Sequence, residues 1–125
     1  MSEASDTTRC YRIEETWLHE EWDMDALRIL GNRIWRLEAP LPWRWYPPTI
    51  VARDGMVYGG RRSSFTVGRS IIVLARNQRD PKVLVHELTH ALRCGDWRHN
   101  KRFEAHFCRL LRKYKIKVEI KPWLL

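Results

Sequence analysis

Five residues restrict this chain more than any others: His86-Glu87-Leu88-Thr89-His90, an H-E-x-x-H pattern. Residues four apart share one side of a helix, so two imidazoles at this spacing can reach one cation. Glu87 lies about 100° round from His86 at ~3.6 residues per turn, near enough to act as general base for a water that the cation activates without being a ligand itself. On the same wheel Leu84, Leu88, Ala91 and Leu92 fall between roughly 140° and 240° from His86. The spacing therefore predicts a helix with an apolar back and its histidines turned to a cleft. Asp80 has the chemistry of an N-cap, Pro81 belongs at a first helical position, and Gly95 is a stop signal.

A catalytic zinc takes three protein ligands and leaves one position for water. His86 and His90 are two of them. His99 is the first candidate for the third. It precedes Phe103 by four residues, on the expected inward face of a last helix running from about 98 to 115. Asp96, six residues after His90, is the rival, with a helix cap or a ligand-orienting contact as its other possible roles. His106, Glu104 and a cysteine stay open, although His106 lies ~10.5 Å beyond His99 along the helix axis.

Length and composition set the frame. The chain has 125 residues, which is room for one domain with a modest core. Residues 1–8 read as a polar disordered lead. No apolar run approaches a membrane span and the first residues do not form a signal peptide, so a cytoplasmic protein without membrane contact is expected. Three cysteines, an odd number with no C-x-x-C pair, argue for free buried thiols and against a disulfide framework. The net charge of +8 favours an anionic partner, nucleic acid first among them. Seven tryptophans are many for this length, and most are expected in the core or its rim.

Along the chain, residues 16–37 have helical periodicity. Trp22, Ala26, Ile29, Leu30 and Ile34 mark the buried face, and Gly31 is a weak point that allows one bent helix or two short ones. Pro40, Pro42, Pro47 and Pro48 end the helix and enclose Trp43-Arg44-Trp45-Tyr46, a loop expected to fold its rings over the core, with base stacking as its other possible use. Residues 49–75 read as sheet. The strands are 49–52, 56–58, 64–67 and 70–75, with Asp54-Gly55 and Gly59-Gly60 as turns and 59–64 as a hairpin end. The 70–75 segment is expected to be the edge that pairs with an extended peptide. The last helix has an apolar stripe of Phe103, Phe107, Leu110, Leu111 and Tyr114, and 117–120 alternates like a closing strand.

With these residues in view, the chain resembles the small zincin-like metallopeptidases of the SprT/Spartan and minigluzincin type, especially the short ones of phages and actinobacteria. In those, H-E-x-x-H is followed after a short turn by a histidine with an aromatic residue four positions on, often H-G-P-E-F. Here that segment is His99-Asn100-Lys101-Arg102-Phe103, without the Gly-Pro. The likeness spans about residues 49–107. It implies an α+β minimal zincin fold in a single domain over residues 1–125: an N-terminal helix, a small antiparallel or mixed sheet with an edge strand, an active-site helix and a C-terminal ligand-bearing helix. It also implies His86, His90 and His99 as ligands to Zn2+ and Glu87 as general base.

The expected function is a zinc-dependent peptidase acting on a peptide or protein substrate, with Tyr114, His106 or Arg102 as oxyanion donor. The alternative is a basic module that binds nucleic acid or protein and holds a structural or vestigial zinc.

Overall fold

The computed structural model describes residues 21–53, 56–58, 61–94 and 96–116. The expected disordered lead, Cys10, the turns at Asp54-Gly55 and Gly59-Gly60, Gly95 and the closing strand at 117–120 lie outside them. Among the described residues the architecture is α+β, with three helices and a small mixed sheet.

Helix α1 runs Met24–Glu38. Asp23 caps it, accepting a hydrogen bond from the Ala26 amide at 2.9 Å, and residues 16–20 of the expected helical stretch lie outside the described residues. The helix continues unbroken through Gly31. Its buried face is Leu27, Gly31, Ile34 and Trp35, whereas Ile29 is 71% exposed. Of the expected face, Ile34 is buried and Trp22 and Leu30 pack against the core, whereas Ile29 stands outside it. Gly31 lies on the buried face. A methyl group there would stand 2.5 Å from Ile50 Cδ1, so the missing side chain lets α1 close onto the sheet and the next helix.

A proline-rich turn, with a short 3-10 segment at Trp43–Trp45, leads to β1 (Thr49–Arg53). Strands β2 (Met56–Tyr58) and β3 (Arg61–Ser63) form an antiparallel hairpin of their own. Residues 61–63, expected to be part of a hairpin end, are thus a strand.

Strands β4 (Phe65–Val67) and β5 (Ile71–Ala75) complete the main sheet, in the order β1-β5-β4. β1 runs parallel to β5, and β4 antiparallel to it with Val67 opposite Ile71. Gly68, at φ +55°, makes the tight return between them. The order overturns the expectation that 70–75 is an edge. β5 has a neighbour on each side, and Ile72, Val73, Leu74 and Ala75 are all buried. Four consecutive buried residues mean cover on both faces, which is the position of a central strand. The edges are β1 and β4. The Arg28 guanidinium reaches from α1 to the Ile50 carbonyl on β1 (3.0 Å).

Helix α2 (Pro81–Leu92) is the axis of the domain. Asp80 caps it through the Lys82 amide at 2.7 Å, and Pro81 opens it, as the sequence predicts. It ends at Arg93, after which Cys94 adopts φ 62°. That left-handed position falls on a cysteine, one residue before the glycine expected to stop the helix. α2 is buried on nearly every side, packed against α1, α3, β4 and β5.

Helix α3 (Lys101–Lys113), capped by Asn100, lays Phe103, Phe107, Leu110 and Leu111 into the core beside Leu84, Val85 and Leu88 of α2. Among the described tryptophans only Trp35 is in the core. Trp22 is half-buried, while Trp43, Trp45 and Trp97 are exposed, contrary to expectation. Cys94 and Cys108 are free as expected, but neither is buried.

The basic end of α3 is more than a solvated face. Arg109 (3.2 Å), Lys113 and the Tyr114 hydroxyl (2.8 Å) all donate to Glu38, whose side chain is only 6% exposed, and so clamp the end of α1 to the end of α3. Burial pushes the Glu38 carboxyl up, but the bonds from Lys113, Tyr114 and Arg109 together outweigh it and hold the group below its ordinary 4.5. A carboxyl depressed on folding contributes stability that is complete above 4.5 and is lost as pH falls through the folded value. Glu38→Gln is expected to lose about 1–2 kcal/mol at neutral pH, with the gap to wild type closing as the pH falls below 4.5. Urea unfolding at both pH values measures this, and a gap that does not change with pH would contradict it.

Candidate metal centre

α2 carries His86, Glu87 and His90, which are 6%, 5% and 7% exposed. The histidine spacing turns both rings to one side, as the motif predicts. Their partner, His99, comes from the extended segment before α3. It stands one residue ahead of the Asn100 cap, so the expectation that it lies on the helix itself is corrected. The segment is held in place at several points. The Asp96 amide donates to the Arg93 carbonyl (3.2 Å), the Asp96 carboxylate accepts from the Arg98 amide and guanidinium (3.0 Å each), and Asn100 accepts from the Phe103 amide (2.9 Å).

The three Nε2 atoms converge. His86 and His90 are 3.1 Å apart, His86 and His99 3.1 Å, and His90 and His99 3.0 Å. The other ring nitrogen of His90, Nδ1, lies 2.6 Å from the Asp96 carbonyl oxygen. A carbonyl only accepts, so His90 carries its proton on Nδ1 and presents a bare Nε2 to the cluster. This places Asp96, the rival third ligand, in the orienting role. It acts through its backbone, while its carboxylate pairs with Arg98 and is held down to about 2. Capping of α3 falls to Asn100.

Phe103 forms the floor of the cluster. Its ring centroid lies 5.0 Å from His86, 4.5 Å from His90 and 5.0 Å from His99, and it is fully buried. Phe107 backs His86 at 5.4 Å. Such an apolar wall fixes ring orientation and keeps water away from the sides of the imidazoles.

The His90 ring is held in its neutral form, with the Nε2 lone pair open to a metal. Burial first, and the neighbouring His86 second, push the His90 imidazole down to about 4. A proton is therefore a poor occupant, because it would set cationic rings side by side in a dry pocket. A metal ion shared by the three imidazoles would engage one ring nitrogen of each at once, and the set could hold one.

Glu87 has a partner that sequence reasoning missed. The Thr66 hydroxyl on β4 donates to the Glu87 carbonyl at 3.0 Å and lies 3.3 Å from Oε1 of its carboxylate. No periodicity marks Thr66, because the contact exists only once β4 lies along α2. Of the oxyanion candidates, Tyr114 is excluded. It bonds Glu38 at the far end of α3, roughly 20 Å from the His99 end at 1.5 Å per residue. His106 is half-buried, its imidazole pushed down by burial and then by Arg109, and Arg102 is exposed. Neither has a contact that brings it to the cluster.

No family model matches the chain, and no curated protein or solved structure matches it either. Among the described residues no helix is long and apolar enough to cross a membrane. Fold and site together define the chain as an α+β domain with a buried three-histidine cluster able to bind a metal ion.

Proposed function

We propose that the protein is a zinc-dependent metallopeptidase that hydrolyses peptide bonds with Glu87 as general base. One observation carries the reading: three Nε2 atoms from residues 86, 90 and 99 meet within 3.0–3.1 Å beside a glutamate on the same helix. A tetrahedral zinc with bonds of about 2.0–2.1 Å sets its nitrogen pairs roughly 3.3 Å apart, close to this triangle. All-imidazole ligation suits zinc, and three protein ligands are the number that leaves a position for chemistry. The resemblance to zincin-like peptidases of the SprT and minigluzincin type points the same way.

Zinc held by His86, His90 and His99 would supply Lewis acidity toward a water and the scissile carbonyl. The chain's own groups do the rest. His86, His90 and His99 hold the ion, and the Asp96 carbonyl fixes the His90 tautomer. Glu87 accepts the proton of the attacking water and passes it to the leaving amine. β4, an end strand of the described sheet and the strand that touches Glu87, is where an extended substrate would pair by its backbone.

The test uses purified, zinc-loaded protein with casein and a mixed peptide library, and metal content measured in parallel. Cleavage that stops with a chelator and returns with zinc is expected. Stoichiometric zinc without cleavage of any peptide would remove the enzyme and leave the metal site.

Thr66→Val removes the hydroxyl beside Glu87 with little change of shape. It is expected to lower kcat by roughly tenfold with KM unchanged, at a stability cost of about 1 kcal/mol, and Thr66→Ser is expected to restore the rate. A wild-type kcat in the valine variant would show that Glu87 needs no such support.

A further inference from the structure

The turn at 41–46 presents more aromatic surface than a small domain leaves open without a use. Leu41 is 64% exposed, Trp43 43%, Trp45 70% and Tyr46 66%. The turn is not loose. The Trp35 indole donates to the Trp43 carbonyl (2.7 Å), and the amides of Arg44, Trp45 and Tyr46 bond back to Pro40, Pro42 and Trp43. Its rings therefore stand on a backbone that is already ordered, and stacking onto them costs little further entropy.

Charge selects the partner. Residues 39–79 contain seven arginines, no lysine and one acid, a net +6 out of the chain's +8. Arg69 comes to this surface from the β4–β5 return. Its guanidinium lies 4.6 Å from the centre of the Trp43 ring, and it contacts Cys94 at the end of α2. Arg44, held to the Ala39 carbonyl at 3.2 Å, sits between the rings in sequence. Flat rings interleaved with guanidinium groups match a polymer of flat bases and phosphates. A membrane-inserting loop would call for more aliphatic volume than the single Leu41 of this turn. The turn also precedes the part of the chain that resembles zincins.

We infer that this face binds single-stranded nucleic acid, with Trp45 and Tyr46 stacking on bases and Arg44 and Arg69 contacting phosphates. It is a site distinct from the histidine cluster and does not depend on peptidase activity.

The test is fluorescence anisotropy of a labelled oligothymidylate of about fifteen nucleotides with the full zinc-loaded chain. Binding at low salt is expected, weakening with a log–log slope of about −1.4 for the two phosphates neutralised by Arg44 and Arg69. The exposed-ring variant Trp45→Ala/Tyr46→Ala is expected to bind about a hundredfold more weakly, roughly tenfold per ring, with zinc content unchanged. A duplex of the same length, whose bases hide their faces, is expected to bind at least about tenfold more weakly than the single strand. The inference fails if the oligonucleotide does not bind at low salt, if the double variant binds like wild type, or if duplex binds equally well. It also fails if vesicles of phosphatidylserine are bound more tightly than the oligonucleotide through the same rings.

Discussion

Zinc retention is expected to collapse in the His99→Ala variant. Structural zinc sites bind with about 10–16 kcal/mol over four ligands, or roughly 3–4 kcal/mol for each, so losing one imidazole should weaken binding by about a few hundredfold. The effect should appear in stability as well. A ligand at ~1,000 times its Kd stabilises the folded state by about 4 kcal/mol, worth roughly 10–15 °C in Tm for a domain of this size. Wild type should show that rise on zinc addition, and His99→Ala should lose most of it.

Asp96→Asn is the informative companion. The contact with His90 is made by the Asp96 backbone carbonyl, which the substitution keeps, so zinc content should stay near wild type. If the asparagine variant lost its metal while His99→Ala kept it, Asp96 would have to be the third ligand and the geometry described above would be wrong. Differential scanning calorimetry with and without chelator, together with metal analysis, separates the two outcomes.

The second large effect is on chemistry. Glu87→Gln keeps the shape of the side chain and cannot accept a proton, so peptide hydrolysis should fall by about 10²–10⁴-fold while zinc stays bound. Because Glu87 is not among the histidines that meet at the cluster, the loss should lie in kcat with metal affinity little changed. Full activity in the glutamine variant would move the role of base to another group. Loss of zinc along with activity would mean that the carboxylate is part of the metal site. Among the described residues the cluster holds only the three histidines, so neither result is expected.

Much of the centre could be read before folding was considered. The helix start at Asp80-Pro81 and the shared face of His86 and His90 depend on neighbouring residues within two turns, and local rules decide such things. His99 does meet the helix pair, but it reaches the cluster from an extended segment one residue before α3 and not from the helix. Helical spacing to Phe103 mimicked a real proximity: the His99 and Phe103 rings do meet, at 5.0 Å. Where burial depended on distant partners, periodicity failed. Gly31 looked like a breaker and is a point of close packing against Ile50. The apolar run at 71–75 looked like an edge and is the central strand, a reading its lack of alternation already allowed. Tryptophans assigned to the core by hydrophobicity alone stand open at 43, 45 and 97, because hydrophobic character gives no information about which neighbours arrive to cover it.

The sequence by itself determined what is local: a capped helix, two histidines one turn apart, a glutamate beside them, and an arginine-rich middle without lysine. The tertiary structure alone decided what depends on long-range approach. It brought a loop histidine to within 3.1 Å of the helix pair, aimed the Asp96 carbonyl at His90 and placed the Thr66 hydroxyl against Glu87. The physical reason is that a hydrogen bond or a shared lone-pair site needs atoms within about 3 Å of one another. Between residues far apart in the chain, only packing of the whole core sets that distance.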